Sequence, residues 1–308
     1  MLANDRAIIY VPGMKPKPPP EIHRARLWQA LLEGLRRTRP QVAELIAAQP
    51  ESFKLAAWAP LFYPEASDPA VDVPGLERLM ALSGPEPRDL EEARHWHKAL
   101  TRIIYLISDR MPFLIDWVAT DQLKANLHDS LRYLSNDGGV AERIRAEVAA
   151  SIESAFHAGQ RILLIAHSLG SVIAWDVLWE LSRRRQSPVR IDQLLTIGSP
   201  LGLNFMRHRL LSAGETGAQR YPDNIRRWYN LSAVGELTAL DRTFADDYRP
   251  MLDHDLVQSI TDHIDLMNYF RGPDGLNVHK CYGYMINPRT ATVVADWWQE
   301  GDSAAARA

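Results

Sequence analysis

The sequence predicts an α/β fold: a mostly parallel, doubly wound sheet of about six strands, flanked by helices on both faces. Three observations carry this expectation. Short runs such as "AIIYV" (7–11) and "RILLIAH" (161–167) are apolar at nearly every position rather than at alternate ones, so such strands are covered on both faces. Helix-spaced apolar residues, as in Leu27, Leu31 and Leu35, lie between the runs. The two patterns alternate along 308 residues, which argues for helical crossovers over a parallel sheet in one domain spanning 1–308.

The first strand, 7–11, stops at Pro12-Gly13. "KPKPPP" (15–20) follows as an extended loop, because a proline string joins neither a helix interior nor a central strand. Residues 21–48 read as helical, with Val42, Leu45 and Ile46 extending the apolar stripe. "FKLAAWAPLFYP" (53–64) reads as a second strand running into a loop. From about 74 to 135 the pattern is helical and unusually apolar. It is far longer than a crossover requires, so it is expected to be a helical cap insertion over the sheet. Residues 140–158 form a helix with Gly159 as its C-cap. The third strand is 161–167, and the helix "SVIAWDVLWELSRRR" begins directly after it. "IDQLLTIGSPLG" (191–202) supplies a fourth strand and a loop of small residues. "IRRWYNLSAV" (225–234) supplies a fifth strand and "KCYGYMI" (280–286) a sixth. "TATVVADWWQE" (290–300) closes the chain as a helix, and 301–308 is expected to fray.

A hydrophobic fraction of 46% is enough for a large core, and a formal charge of -3 gives no global attraction to nucleic acid or anionic membrane. The only cysteine, Cys281, cannot form an internal disulfide, which fits a reducing compartment. The first residues lack the basic and apolar regions of a secretory leader. No stretch reaches 18 apolar residues without a charge, so no membrane span is expected. A cytoplasmic protein is the expectation.

Ser168 stands where the third strand gives way to a helix, the end of a doubly wound sheet at which ligands bind. Ala166 and Gly170 flank it at the two glycine positions of G-x-S-x-G. A tight turn there lifts Oγ over the sheet edge, and the Leu169 N–H at the start of the helix faces outward as an oxyanion donor. The competing reading makes Ser168 an ordinary N-cap.

With "AHSLG" (166–170) after "ILLI", and "TIGSPLG" (196–202) in the next strand and loop, the chain resembles the α/β-hydrolase superfamily, in its lipase- and esterase-like branch. The resemblance runs from about residue 7 to 298 and implies a fold lacking the usual first two strands. It also implies a catalytic serine, acid and histidine in that order. On this resemblance Ser168 is the expected nucleophile. His279 is the last of ten histidines and lies in the turn-like "GLNVHKCYGY", with Tyr282 matching the family's H-x-x-Y run; it is the expected base. His167, next to the nucleophile, should point to the other face and serve packing or a supporting hydrogen bond. The acid belongs to the loop after the fifth strand. Glu236 comes first there, in "GELT" where relatives often carry "GDPV"; Asp241 is second choice, and Asp246 and Asp247 follow. His254 and His263 with Asp253 and Asp255 lack the i,i+4 spacing of helical metal ligands, so no metal site is expected.

The second oxyanion donor should come from the loop after the first strand. Pro12 has no N–H, which leaves Gly13 or, preferably, Met14. Within the insertion, Phe113 and Trp117 are candidate substrate-binding residues for a hydrophobic acyl group; the same face could instead be core or a dimer interface. These readings converge on a cofactor-free serine esterase acting on a small-molecule ester. Amidase, thioesterase or acyltransferase chemistry is the alternative on the same residues, and a non-catalytic binding or scaffold role is the alternative from another class. Peripheral lipid contact or a homodimer stays open.

Overall fold

The computed structural model describes residues 5–95, 121–236 and 243–305. Six strands form one sheet: β1 (Arg6–Val11), β2 (Phe53–Leu55), β3 (Arg161–His167), β4 (Ile191–Ile197), β5 (Ile225–Ala233) and β6 (Ser259–Leu266). Their order is β2-β1-β3-β4-β5-β6, and every neighbouring pair is parallel. After β2 the chain crosses back past β1 to start β3, so the direction of winding reverses there. In doubly wound sheets ligands bind beyond the carboxyl ends of the strands at such a reversal, which here is the end of β1 and β3.

The apolar runs have a plain cause. Along β1, Ala7, Ile9 and Val11 enter one buried cluster, while Ile8 and Tyr10 enter another on the opposite face. Along β3, Ile162, Leu164 and Ala166 split from Leu163 and Ile165 in the same way. One face is covered by α1 (Pro20–Thr38), α2 (Pro40–Ala47) and the closing helix. The other is covered by the Val140–His157 helix and the helix after Ser168. The helical stretch expected over 21–48 is broken at Arg39, because Pro40 cannot donate into the turn before it.

Two strand expectations are corrected. Of 53–64, only Phe53–Leu55 pairs with β1; Ala59–Phe62 is a helical turn with Pro60 in its first turn, where a missing N–H costs nothing. The sixth strand is Ser259–Leu266, and "KCYGYMI" contributes a short helix, Cys281–Met285. That helix is buried all round, and a short run buried on every side has no period that separates helix from strand. In the 74–135 stretch the described parts are helical: α3 (Val73–Ala81), residues 87–95, and α4 (Asp121–Leu134). The closing helix, Pro288–Ala305, runs past the point where fraying was expected. No helix among the described residues is long and apolar enough to cross a membrane.

His23 of α1 is buried edge-on to Tyr10 and Tyr282, with ring centroids 6.3 Å away on each side. Burial, with the charges of Lys17, Lys280 and Arg26 acting in the same direction, pushes its imidazole down to about 3. The folded state therefore holds it neutral, while the unfolded chain protonates it below about 6.5. Its stabilising effect is complete above that pH and is lost as pH falls toward 3, by about 1.4 kcal/mol per pH unit. Between pH 7 and pH 5, urea unfolding of His23→Phe should lose about 2 kcal/mol less stability than the parent. Equal losses in both proteins would show that the ring is hydrated when folded.

Candidate active site

Ser168 sits between β3 and the helix Leu169–Trp179, with φ 54° and ψ -131°. This is a sparsely populated region for a residue with a Cβ and stores about 1–3 kcal/mol. The N-cap reading of Ser168 does not fit, since an N-cap residue is β-like and this hydroxyl makes no capping bond. The turn is held from both sides. Ser168 N–H donates to the Ile197 carbonyl at 3.0 Å. The Ser168 carbonyl accepts from Ser171 N–H at 2.9 Å and from Ser171 Oγ at 2.6 Å. The Ser171 hydroxyl has spent its proton, so its 2.6 Å contact with Ser199 Oγ has Ser199 as donor. Ser199 in turn accepts from Leu201 N–H at 3.2 Å. The two small-residue motifs thus lock to each other.

Close approach explains the glycines. A Cβ on Gly170 would lie 2.5 Å from the backbone oxygens of Val11 and Pro12, which cannot yield. A Cβ on Gly13 would lie 2.7 Å from the Ser168 Cβ. Gly13 therefore brings the end of β1 against Ser168.

His279 lies in the loop before Cys281–Met285. Its Nε2 is 2.9 Å from Ser168 Oγ and its Nδ1 is 2.9 Å from Glu236 Oε2. A carboxylate only accepts, so Nδ1 carries the proton and Nε2 presents its lone pair to the serine hydroxyl. Glu236 follows β5, is buried, and accepts a second bond at Oε2 from Tyr284 Oη at 3.0 Å. Tyr284 Oη also accepts from Ala233 N–H at 2.9 Å, which ties Glu236 to the end of β5. Gly198, at φ 54°, faces this junction; a Cβ there would lie 3.1 Å from both Glu236 Oε2 and His279 Nδ1.

The His167 ring lies beside Gly13 and His279; a Cβ on Gly13 would come 3.0 Å from its Nδ1. Its Nε2–H donates to the His279 carbonyl at 2.9 Å, and the two rings lie 4.7 Å apart. Burial, then the neighbouring His279, holds it well below the usual imidazole range, so it is a neutral donor to the His279 loop.

Of the expected site residues, Ser168, Glu236 and His279 come together, with Leu169 following Ser168 in the chain and Gly13 packed against it. Neither Met14 N–H nor Leu169 N–H donates to a protein acceptor among the described residues. Asp247 instead pairs with Arg207 at 2.6 Å, and Asp246 shares its short helix, Phe244–Asp247. Asp241, Phe113 and Trp117 lie outside the described residues. His263 stacks on Tyr229 at 6.4 Å, and no group of His, Cys, Asp and Glu among the described residues is placed to hold a metal. Tyr284, Gly198 and the Ser171–Ser199 pair were missed from sequence. Tyr284 was hidden because its segment reads as a strand, and Tyr282, favoured by spacing, turns toward His23 instead. No family model, curated protein or solved structure matches the chain.

Proposed function

We propose that the chain is a serine hydrolase of the α/β-hydrolase type, without that fold's first two strands, cleaving carboxylic esters through an acyl-enzyme on Ser168. One observation carries the reading: a continuous relay from Ser168 Oγ to His279 Nε2 and from His279 Nδ1 to Glu236 Oε2, each step 2.9 Å, beginning at a strained serine. The positions of the three residues after β3, β5 and β6 support it. Ser168 Oγ attacks the acyl carbon as His279 Nε2 takes its proton. The N–H groups of Leu169 and Met14 receive the charge that develops on the carbonyl oxygen, with Leu169 aided by the positive end of its helix. His279 returns the proton to the leaving alcohol. Water, activated by the same imidazole, then releases the acid. These steps call on no metal or organic cofactor.

A fluorophosphonate probe should label the protein at Ser168 and should not label Ser168→Ala. An unlabelled parent protein would sink the reading in favour of a binding or scaffold role. If Phe113 and Trp117 roof the acyl site, p-nitrophenyl esters of increasing length should gain up to about 0.8 kcal/mol, or about fourfold in kcat/KM, per methylene until the pocket fills. Alanine at either position should flatten that series while sparing acetate. An unchanged series would place both residues away from the acyl chain.

A further inference from the structure

Three backbone groups of the loop after β1 are held by side chains. Trp58 Nε1–H donates to the Pro12 carbonyl at 2.8 Å. The Lys17 ammonium donates to the Met14 carbonyl. Lys15 N–H donates to Tyr63 Oη at 2.8 Å. Met14 N–H, between these clamps and one residue after the Gly13 that packs on Ser168, takes no acceptor among the described residues, and nor do Gly13 N–H and Lys17 N–H. Lys15 has a φ of 77°, which a lysine adopts only when its surroundings insist.

What insists is Tyr63. Its hydroxyl has one proton, and that proton goes to Asp129 Oδ2 at 2.8 Å. The lone pair left facing Lys15 N–H belongs to an oxygen polarised by a carboxylate, hence a stronger acceptor. Burial and the Asp129 bond raise the phenol above its usual range, so the proton stays on across neutral pH. Asp129 belongs to α4, which is itself fastened on either side of the site. Arg132 Nη1 donates to the Phe62 carbonyl at 3.2 Å, with its guanidinium 4.3 Å from the Phe62 ring. Tyr133 Oη donates at 3.0 Å to Asp176 Oδ2, on the helix that begins after Ser168.

We propose that Tyr63, held by Asp129, is a positioning residue for the oxyanion hole. It draws the Lys15 N–H out of the pocket and fixes the strained peptide so that Met14 N–H faces the developing oxyanion. The proposal rests on the serine-hydrolase reading above. It makes α4 a support of the chemistry rather than only part of a cover.

Such a group acts on the transition state and not on substrate binding, so its loss should appear in kcat with KM unchanged. Losing a whole oxyanion donor costs about 10²- to 10³-fold, and misplacing one should cost less. Tyr63→Phe should lower kcat on p-nitrophenyl acetate by about 10- to 50-fold with KM within about twofold. Affinity for a trifluoromethyl ketone, which mimics the tetrahedral adduct, should weaken in proportion to kcat/KM. Asp129→Ala should follow Tyr63→Phe. Asp129→Asn, whose amide oxygen can still accept the phenol proton, should recover part of the loss, and the Tyr63→Phe/Asp129→Asn double variant should be no worse than Tyr63→Phe. Wild-type kcat in Tyr63→Phe, or unchanged ketone affinity in both Tyr63→Phe and Asp129→Ala, would overturn the proposal. Should Tyr63→Phe not fold, the two Asp129 variants decide, and equal activities in them would overturn it. A parent protein that neither turns over ester nor takes the fluorophosphonate probe removes the hydrolase reading itself, which is a separate result.

Discussion

Ser168→Ala is expected to lower ester turnover by about 10⁴- to 10⁶-fold, leaving only what binding and the oxyanion donors provide. Stability should hardly change, because alanine keeps the Cβ that makes φ 54°, ψ -131° costly and, among the described residues, the lost hydroxyl bonds only to the partly exposed His279. Ser168→Gly should be equally inactive yet more stable than the parent. Glycine removes about 1–3 kcal/mol of backbone strain and gives back about 0.5–1 kcal/mol of unfolded-chain entropy, so a net gain of about 1 kcal/mol in denaturant unfolding is expected. The two variants separate chemistry from geometry. Near-parent turnover in Ser168→Ala removes the nucleophile assignment. A Ser168→Gly protein less stable than Ser168→Ala shows that the turn is not strained, whatever the chemistry.

The same physics decided what could be seen in the sequence. β1, β3 and β4 lie inside the sheet with helices over both faces, so their apolar runs stand out; β5, next to the edge, also carries the exposed Arg226 and partly exposed Arg227. β6 is an edge strand whose Asp262, His263 and Asp265 are at least partly exposed, so it resembles a polar loop. Asp262 also has local duties: it accepts from Asn230 Nδ2 at 2.9 Å and from the N–H groups of Phe244 and Ala245. Ser168 and His279 were legible because each sits in a short segment of recognisable chemistry. Glu236 was legible only through its place after β5. Tyr63 and Tyr284 carried no such signal, and Gly198, though inside "TIGSPLG", carried none that pointed to Glu236 and His279. Tyr63 meets Asp129 across 66 positions of chain and Tyr284 meets Glu236 across 48, so their roles exist only once the sheet has brought those segments together.

Glu236→Gln tests the acid at nearly constant shape. The carboxylate oxygen that takes His279 Nδ1–H also takes the Tyr284 hydroxyl, and it is buried. A glutamine oxygen could accept both bonds, but without the negative charge that stabilises the imidazolium formed as Ser168 attacks. The rotated amide would present N–H to Nδ1 and force the imidazole proton onto Nε2, the wrong tautomer for accepting a proton from Ser168. Either outcome should cost about 10²- to 10⁴-fold in kcat with little change in KM. Tyr284→Phe should cost far less activity, since Glu236 keeps its charge and its bond to His279. It should cost about 1–3 kcal/mol of stability, because Ala233 N–H loses its acceptor inside the core. Asp241→Asn, made alongside, should be mild. If Asp241→Asn is crippled while Glu236→Gln turns over ester normally, the acid is Asp241 and Glu236 only shapes the pocket behind His279. If neither carboxylate matters, His279 works without an acid partner, and the relay drawn here shortens to Ser168 and His279.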